Sequence, residues 1–374
     1  MLETLTGWNS WAAAELDAIR AAGRWRATRS FDSLGPAGLL EGRHVVSFAS
    51  NDYLGLSSHP GVISAAHEAL DRWGAGSTAS RLIVGSRPCH DELEAEIARW
   101  KGTDGAVLFP TGFAANLGLL GVVGGRDVTV FSDELNHASI IDGCRLSRSS
   151  VTTYRHADLD HLAELLHAAA GRKVVVTDSV FSMDGDIVDI DHLAQLCADT
   201  GALLIVDEAH SVLGPHVPTH IDGLDVLRVG TLSKSLGSLG GWVAGSSAFM
   251  NLLVNRARSY IFTTALSPAD TAAGLAALRI LNSHEGEALM TRLRNSIERL
   301  EPGHPSPIIP ILLGDEQRAV DAAAQLLGRG IFIPAIRPPT VPVGTCRLRI
   351  ALSAAHTDAM LADLEANLSE LGLR

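Results

Sequence analysis

The chain has 374 residues, 46% of them apolar, enough for one large domain and a smaller one without disulfide or metal staples. Thirty Lys and Arg against 42 Asp and Glu leave a formal charge of -12, which argues against nucleic acid as a main partner. No apolar run approaches the ~20 residues of a membrane-spanning helix, so no membrane partner is expected.

The first thirty residues read as helical, with Trp8, Trp11, Leu16, Ile19 and Ala22 at helical spacing up to Gly23 and an arginine-rich stretch after it. This segment lacks the basic start, apolar core and small-residue cleavage site of a signal peptide, and a cytoplasmic protein is expected. "HVVSFASNDYLGL" then offers a short strand and a polar turn. From there "AVLFP", "VTVFS", "VTTYR", "KVVVTDSV", "ALLIVDEA", "VLRVGTL" and "WVAGS" are short β-type runs, most of them too uniformly apolar to face water on one side. Helix-like segments such as "DLDHLAELLHAAAG" and "DIDHLAQLCADTG" lie between several of them, which predicts an α/β fold with a mostly parallel sheet covered on both faces. Near residue 275 long helical segments replace this rhythm, and "SPIIPILLG", "IFIPAIRPP" and "CRLRIAL" predict a smaller C-terminal α+β unit. The expected division is 1–45 as N-terminal helix and arm, 46–275 as the large domain and 276–374 as the small one. Cys89, Cys144, Cys197 and Cys346 lie far apart without a CxxC pair and read as reduced thiols.

Ligands of open α/β sheets sit outside the carboxyl ends of the strands. "PTGFAAN", "DELNHAS", "DSVFSMDGD", "DEAHS" and "GTLSK" all follow predicted strands, so they are candidates for one pocket. "VDEAH" puts Asp207 at the end of a very apolar strand, where a carboxylate needs a cationic or hydrogen-bonding partner. Lys234 follows 27 residues later among small polar and glycine residues. Taken singly, a turn-capping aspartate and a solvated lysine are the simpler readings. Together they suit pyridoxal phosphate: the lysine carries the cofactor covalently, and the aspartate keeps its pyridine nitrogen protonated. Thr111, Gly112 and the first amides of a helix after Pro110 can bind a phosphate, with hydroxyls added by Thr231 and Ser233. No GxxxxGK[ST] motif supports a nucleoside triphosphate instead. His137 can stack on a cofactor ring or cap a helix, and Ser182 can donate a hydrogen bond or be structural. A zinc site on Asp207, His137 and His210 would lack ligand spacing and leave Lys234 idle, so no metal is expected.

The sequence resembles the α-oxoamine synthases, pyridoxal-phosphate enzymes that condense an amino acid with an acyl thioester and release carbon dioxide. The motifs that carry the resemblance are "SFASNDYLGL", "GAGSTASRLIVGS", "HDELEAEIARW", "FPTGFAAN", "FSDELNHASIIDG", "VFSMDGD", "VDEAHS" and "GTLSKSLGSLGG". The resemblance implies the aspartate-aminotransferase-like fold type I, with a mostly parallel seven-stranded sheet in the large domain, and a homodimer with shared active sites. It makes Lys234 the Schiff-base lysine and Asp207 the partner of the pyridine nitrogen. It also implies that His210 bonds the phenolic oxygen, His137 stacks on the ring and Ser182 lies beside the cofactor. Gly112 and Phe113 match the phosphate loop, Thr231 and Ser233 the hydroxyls before the lysine. Asn51 and Arg349 match the residues that hold the substrate carboxylate, and Arg26 an arginine near the acyl-substrate entrance. "IPAIRPPTVPVGTCRLRIALSAAHT" is similar to the branch that joins L-alanine to a pimeloyl thioester, of coenzyme A or an acyl carrier protein, in biotin synthesis. The neighbouring branch uses glycine and an acetyl donor (glycine C-acetyltransferase). Two departures stand out. "HSVLGPHVPTH" is two residues shorter after the histidine than the family's glycine-rich "GTGVLG", and "EPGHP" replaces a longer connection. The aim of His210 then depends on how the shorter loop turns.

Overall fold

A computed structural model describes residues 7–218 and 220–374. Its centre is a seven-stranded sheet whose order is Gly105–Phe109, Gly241–Gly245, Val226–Thr231, Leu203–Asp207, Arg172–Asp178, Val128–Asp133 and Ser150–Tyr154. Gly241–Gly245 runs antiparallel to both of its neighbours, and the other six strands share one direction. The sequence accounts for this directly. Along "KVVVTD", Val174 and Val176 join the core on one side of the sheet, with Ile205, Leu227 and Val229, while Val175 joins Leu204 and Val206 on the other. A strand alternates its side chains between faces, so a strand apolar at every position must be covered twice. Helix Gly112–Val123 covers the first face; Leu159–Ala168 and Ile190–Thr200, the two expected aspartate-led helices, cover the second. Asp158 and Asp189 start those two by accepting bonds from the His161 and His192 amides at 2.9 and 3.1 Å.

The C-terminal unit holds a three-stranded antiparallel sheet, in the order Ile308–Gly314, Cys346–Ala351, Ala335–Ile336. A four-stranded sheet joins the N-terminal arm to this unit: Phe31–Ser33, Ala37–Leu40 and Arg43–Ser47 form an antiparallel meander, and Ile331–Phe332 pairs parallel with the last of them. We keep the division near residue 275 as a proposal; it falls inside helix Pro268–Leu281. Of the first thirty residues expected to be helical, Trp8–Ala21 form a helix, residues 1–6 lie outside the described residues, and the arginine-rich stretch after Gly23 is not helical; none of the helix's residues is buried, and Trp8 is 82% exposed. None of the helices among the described residues is long and apolar enough to cross a membrane.

Candidate active site

The carboxyl ends of the parallel strands gather the polar side chains. Beyond Thr231 the chain turns back into Gly241–Gly245 through a closed loop. Leu232 N–H donates to Gly240 O at 2.9 Å, Ser238 N–H to Leu232 O at 2.9 Å, and Thr231 Oγ1 to Gly240 O at 2.8 Å. Two glycines let this loop pack closely. Gly237 lies at φ 58°, and a Cβ there would stand 2.2 Å from Ser57 N; one at Gly241 would stand 2.3 Å from Thr111 O. The loop is therefore wedged between the "SNDYLGLSS" segment and the start of helix Gly112–Val123, with Lys234 projecting from it.

Lys234 Nζ lies 2.8 Å from His210 Nε2. On its other side, His210 Nδ1 lies 2.6 Å from the Tyr53 hydroxyl, which donates to Asn51 Oδ1 at 3.1 Å. That hydrogen-bond direction assigns the proton to Nδ1 and leaves Nε2 free to accept from the lysine. Burial, then Lys234, Arg349 and His137, hold His210 well below the usual histidine range, consistent with a neutral ring. The Lys234 ammonium is also lowered, first by burial, with Asp207 and Asp178 opposing and Arg349 adding to the fall. The shortened loop after His210 closes through Ser211 N–H to Glu208 O at 3.1 Å and Val212 N–H to His210 O at 3.0 Å, so the histidine still faces the lysine.

Asp207 is 5% exposed. Its carboxylate accepts from Asn116 Nδ2 at 2.7 Å and from the Ala209 amide at 2.9 Å, and both donors are neutral. Its register partner at the end of the next strand is Asp178, which accepts the His137 amide at 2.8 Å. Burial, then the Asp207 charge, pushes the Asp178 carboxyl well above the usual range, with the His137 bond opposing. Sequence reasoning did not single out Asn116, Asp178 or Tyr53. Asn116 is the lone long polar side chain in "GFAANLGLLGVV", and Asp178 ends "KVVVTD" just as Asp207 ends "LLIVD"; both signals were available.

Arg347 and Arg349 share one face of strand Cys346–Ala351, so alternation could not choose between them. Their partners do. Arg347 is ion-paired with Asp184 and donates to Thr345 O at 2.9 Å. Arg349 donates from Nε to the Ser182 carbonyl and from an NH2 nitrogen to Asn51 Oδ1 at 3.1 Å, which joins it to the Tyr53–His210–Lys234 chain. Burial raises the Tyr53 hydroxyl to about 12, with Arg349 opposing.

Thr111 caps helix Gly112–Val123 by accepting the Ala114 amide at 3.0 Å, and the Gly112 and Phe113 amides have no acceptor within the helix. A Cβ on Gly112 would meet that of Thr231 at 3.3 Å, and Thr231 Oγ1 lies 2.7 Å from Ser233 Oγ. Two amides and two hydroxyls therefore stand together at a helix N-terminus, a donor set for phosphate. His137 caps helix Ala138–Leu146 through the Ser139 amide at 3.2 Å, and its ring stands edge-on to Phe113 with centroids 6.5 Å apart. Ser182 meets the site through its carbonyl. Arg26 stands apart: it lines a cavity of about 820 Å³ with Arg29, Pro334, Ile336 and Arg337, which none of the Lys234 cluster borders.

The donor set fits pyridoxal phosphate on a further observation. Among the described residues no cationic nitrogen lies within 4 Å of the buried Asp207 carboxylate, so a protonated ring nitrogen is the partner its burial calls for. The fold and this site define a fold type I pyridoxal-phosphate enzyme. Residues 43–367 match the aminotransferase class I and II model. The chain is 48% identical over 385 residues to the 8-amino-7-oxononanoate synthase of Anaeromyxobacter dehalogenans (strain 2CP-1 / ATCC BAA-258), covering 96% of each. Among solved structures it resembles the serine palmitoyltransferase K265A variant of S. paucimobilis with a bound PLP–myriocin aldimine (TM-score 0.88, 28% identity, 97% and 98% covered). It also resembles 8-amino-7-oxononanoate synthase from Francisella tularensis (TM-score 0.72, 29% identity, 88% and 98% covered). The chain belongs to the aminotransferase class I and II family and, among its α-oxoamine synthases, to the 8-amino-7-oxononanoate synthases, which are pyridoxal-phosphate-dependent acyltransferases.

Proposed function

We propose that the protein condenses L-alanine with a pimeloyl thioester to give 8-amino-7-oxononanoate, carbon dioxide and free thiol, in biotin biosynthesis. The observation that carries the chemistry is Lys234 Nζ 2.8 Å from His210 in the cluster that also holds the buried Asp207. The substrate pair rests on the family to which the chain belongs.

Pyridoxal phosphate, when bound, supplies an aldehyde that links to amines and a ring that accepts the electrons of a bond broken at the amino-acid α-carbon. Lys234 Nζ would hold the cofactor, and as a free amine it would take the α-proton of the substrate, a form its lowered pKa favours. Asp207 would hold a proton on the ring nitrogen. Asn116 and the Ala209 amide aim its carboxylate. His210, steered by Tyr53, would face the phenolic oxygen, and His137 would pack against the ring. Gly112, Phe113, Thr231 and Ser233 bind the phosphate. Arg349, fixed by Asn51 and the Ser182 carbonyl, receives the amino-acid carboxylate. Arg26 is placed near the acyl-donor entrance on the family resemblance alone, since the cavity it lines does not border the Lys234 cluster. We also place the enzyme in the cytoplasm and as a homodimer with shared sites; the exposed apolar residues Leu82, Ile83, Val84 and Phe262 support an interface.

The test is a panel of alanine, glycine and serine against acetyl, octanoyl and pimeloyl thioesters, read by thiol release and product mass. Alanine with pimeloyl, giving 8-amino-7-oxononanoate, is the expected preference. A preference for glycine with the acetyl donor would move the enzyme to the glycine C-acetyltransferase branch.

A further inference from the structure

The turn that holds Arg349 is itself held from behind. Residues 180–187 form a small antiparallel turn: Val180 bridges Ile187, Phe181 N–H donates to Asp186 O at 3.0 Å, and Gly185 N–H to Phe181 O at 2.8 Å. Its tip faces strand Cys346–Ala351, where the Ser182 carbonyl takes Arg349 and Asp184 takes Arg347. At its base the Asp186 carboxylate meets His156 Nε2 at 2.6 Å. His156 Nδ1 meets the Asp133 carboxylate at 3.0 Å, and the ring stands edge-on to Phe181 with centroids 4.3 Å apart.

Both ring nitrogens thus face carboxylates. Ionised carboxylates only accept hydrogen bonds, so the geometry requires an imidazolium that donates from both sides. Burial lowers this pKa, but the bonds to Asp133 and Asp186 and their charges outweigh it and raise it to about 10. Asp133 is fixed independently, because it also accepts the Leu135 and Ala157 amides at 2.8 Å each. The Glu134 carboxylate accepts the His156 amide at 2.9 Å. The rigid end of strand Val128–Asp133 therefore anchors the cation, and the cation anchors the turn.

We propose that His156 is a positioning residue for amino-acid binding, clamping the 181–186 turn so that the Ser182 carbonyl holds Arg349 toward the substrate carboxylate. This rests on Arg349 being the carboxylate receptor. The His156 ring meets Asp133, Asp186 and Phe181 rather than Lys234 or Arg349, so its loss reaches the amino acid through the aim of Arg349. Binding of the amino acid weakens, while the thioester site and the Lys234 cluster keep their arrangement.

The experiment titrates holoenzyme with L-alanine, following its visible absorbance, and measures KM for both substrates and kcat in His156→Gln, Asp186→Asn, Arg349→Lys and the His156→Gln/Arg349→Lys pair. A glutamine amide cannot donate to two carboxylates on opposite sides of the site. In His156→Gln the alanine Kd and KM are expected to rise about tenfold, with thioester KM and kcat changed less than threefold. Asp186→Asn repeats that split if His156→Gln fails to fold. The pair is expected to bind alanine little worse than Arg349→Lys alone, because both changes remove one interaction. An unchanged alanine Kd in both His156→Gln and Asp186→Asn overturns the proposal, as does a rise in both substrates' KM together with a fall in kcat, or additive losses in the pair. If Arg349→Lys itself leaves the alanine Kd unchanged, the carboxylate-receptor reading fails and the clamp falls with it. If only Arg349→Lys weakens binding, that reading stands and the clamp alone is refuted.

Discussion

Replacing Asp207 with Asn separates the chemistry of this side chain from its packing. The change removes a charge and turns one oxygen into an NH2 group at nearly constant volume, in a site only 5% exposed. Two neutral donors now meet the carboxylate, Asn116 Nδ2 at 2.7 Å and Ala209 N–H at 2.9 Å. The new amide oxygen can stay with Ala209, which turns its NH2 toward Asn116. Asn116 Oδ1 is buried without a partner, so rotating that amide brings an acceptor to the new donor but carries the Asn116 NH2 group, now bonded to Ser139 Oγ at 2.9 Å, into a buried place with no acceptor. The folding cost is then that of one buried donor left unpaired, about 1–3 kcal/mol. The loss to catalysis is larger, because an uncompensated buried cation costs about 3–5 kcal/mol, or roughly two to three and a half decades in kcat/KM. Steady-state rates with saturating cofactor, beside urea unfolding of the same preparations, measure the two effects. Turnover within about threefold of wild type would refute the role given to Asp207, and so would a stability loss that matches the catalytic one.

Other consequences follow from the same geometry. Arg349→Lys is expected to weaken alanine binding by about tenfold or more, since an ammonium cannot reproduce the guanidinium fork, whereas Arg347→Lys, whose partner is Asp184, weakens it less; amino-acid titrations giving the reverse order would transfer the role to Arg347. His156 has a folded pKa of about 10 against 6.5 for a free side chain, so its ionic contribution to stability is complete below pH 6.5, declines from there and is gone above pH 10. Thermal melts of wild type and His156→Gln are therefore expected to differ most at or below pH 6.5 and to converge by pH 10.

The sheet was legible because its signal is local. A run such as "KVVVTD" names a strand and its burial on both faces without reference to anything distant. Asp207 and Lys234 stood out as a pair, because a carboxylate at the end of an apolar strand and a lysine in a glycine-rich turn each call for a partner. What stayed hidden depends on contacts between remote segments. The difference between Arg347 and Arg349 lies in their partners, Asp184 for the first and Asn51 with the Ser182 carbonyl for the second, up to 298 residues away. Tyr53 reads as an ordinary core aromatic until its hydroxyl is seen 2.6 Å from His210. The pairing of Arg43–Ser47 with Ile331–Phe332 leaves no local trace, because a two-residue strand has no period. The N-terminal helix shows the converse: its apolar stripe was read as helical spacing, yet none of the described residues covers it.

The central claim is that Lys234 carries the cofactor, and the chain makes this simple to test because it has three lysines, Lys101, Lys173 and Lys234. Lys101 is buried in an ion pair with Glu208 at 3.1 Å, and Lys173 donates to the Thr200 carbonyl at 2.8 Å. Borohydride reduction of the yellow holoenzyme, followed by peptide mapping, should place a pyridoxyl label on Lys234 in wild type and on no lysine in Lys234→Ala, which loses turnover. A label on Lys101 or Lys173 in the wild-type protein would contradict the account.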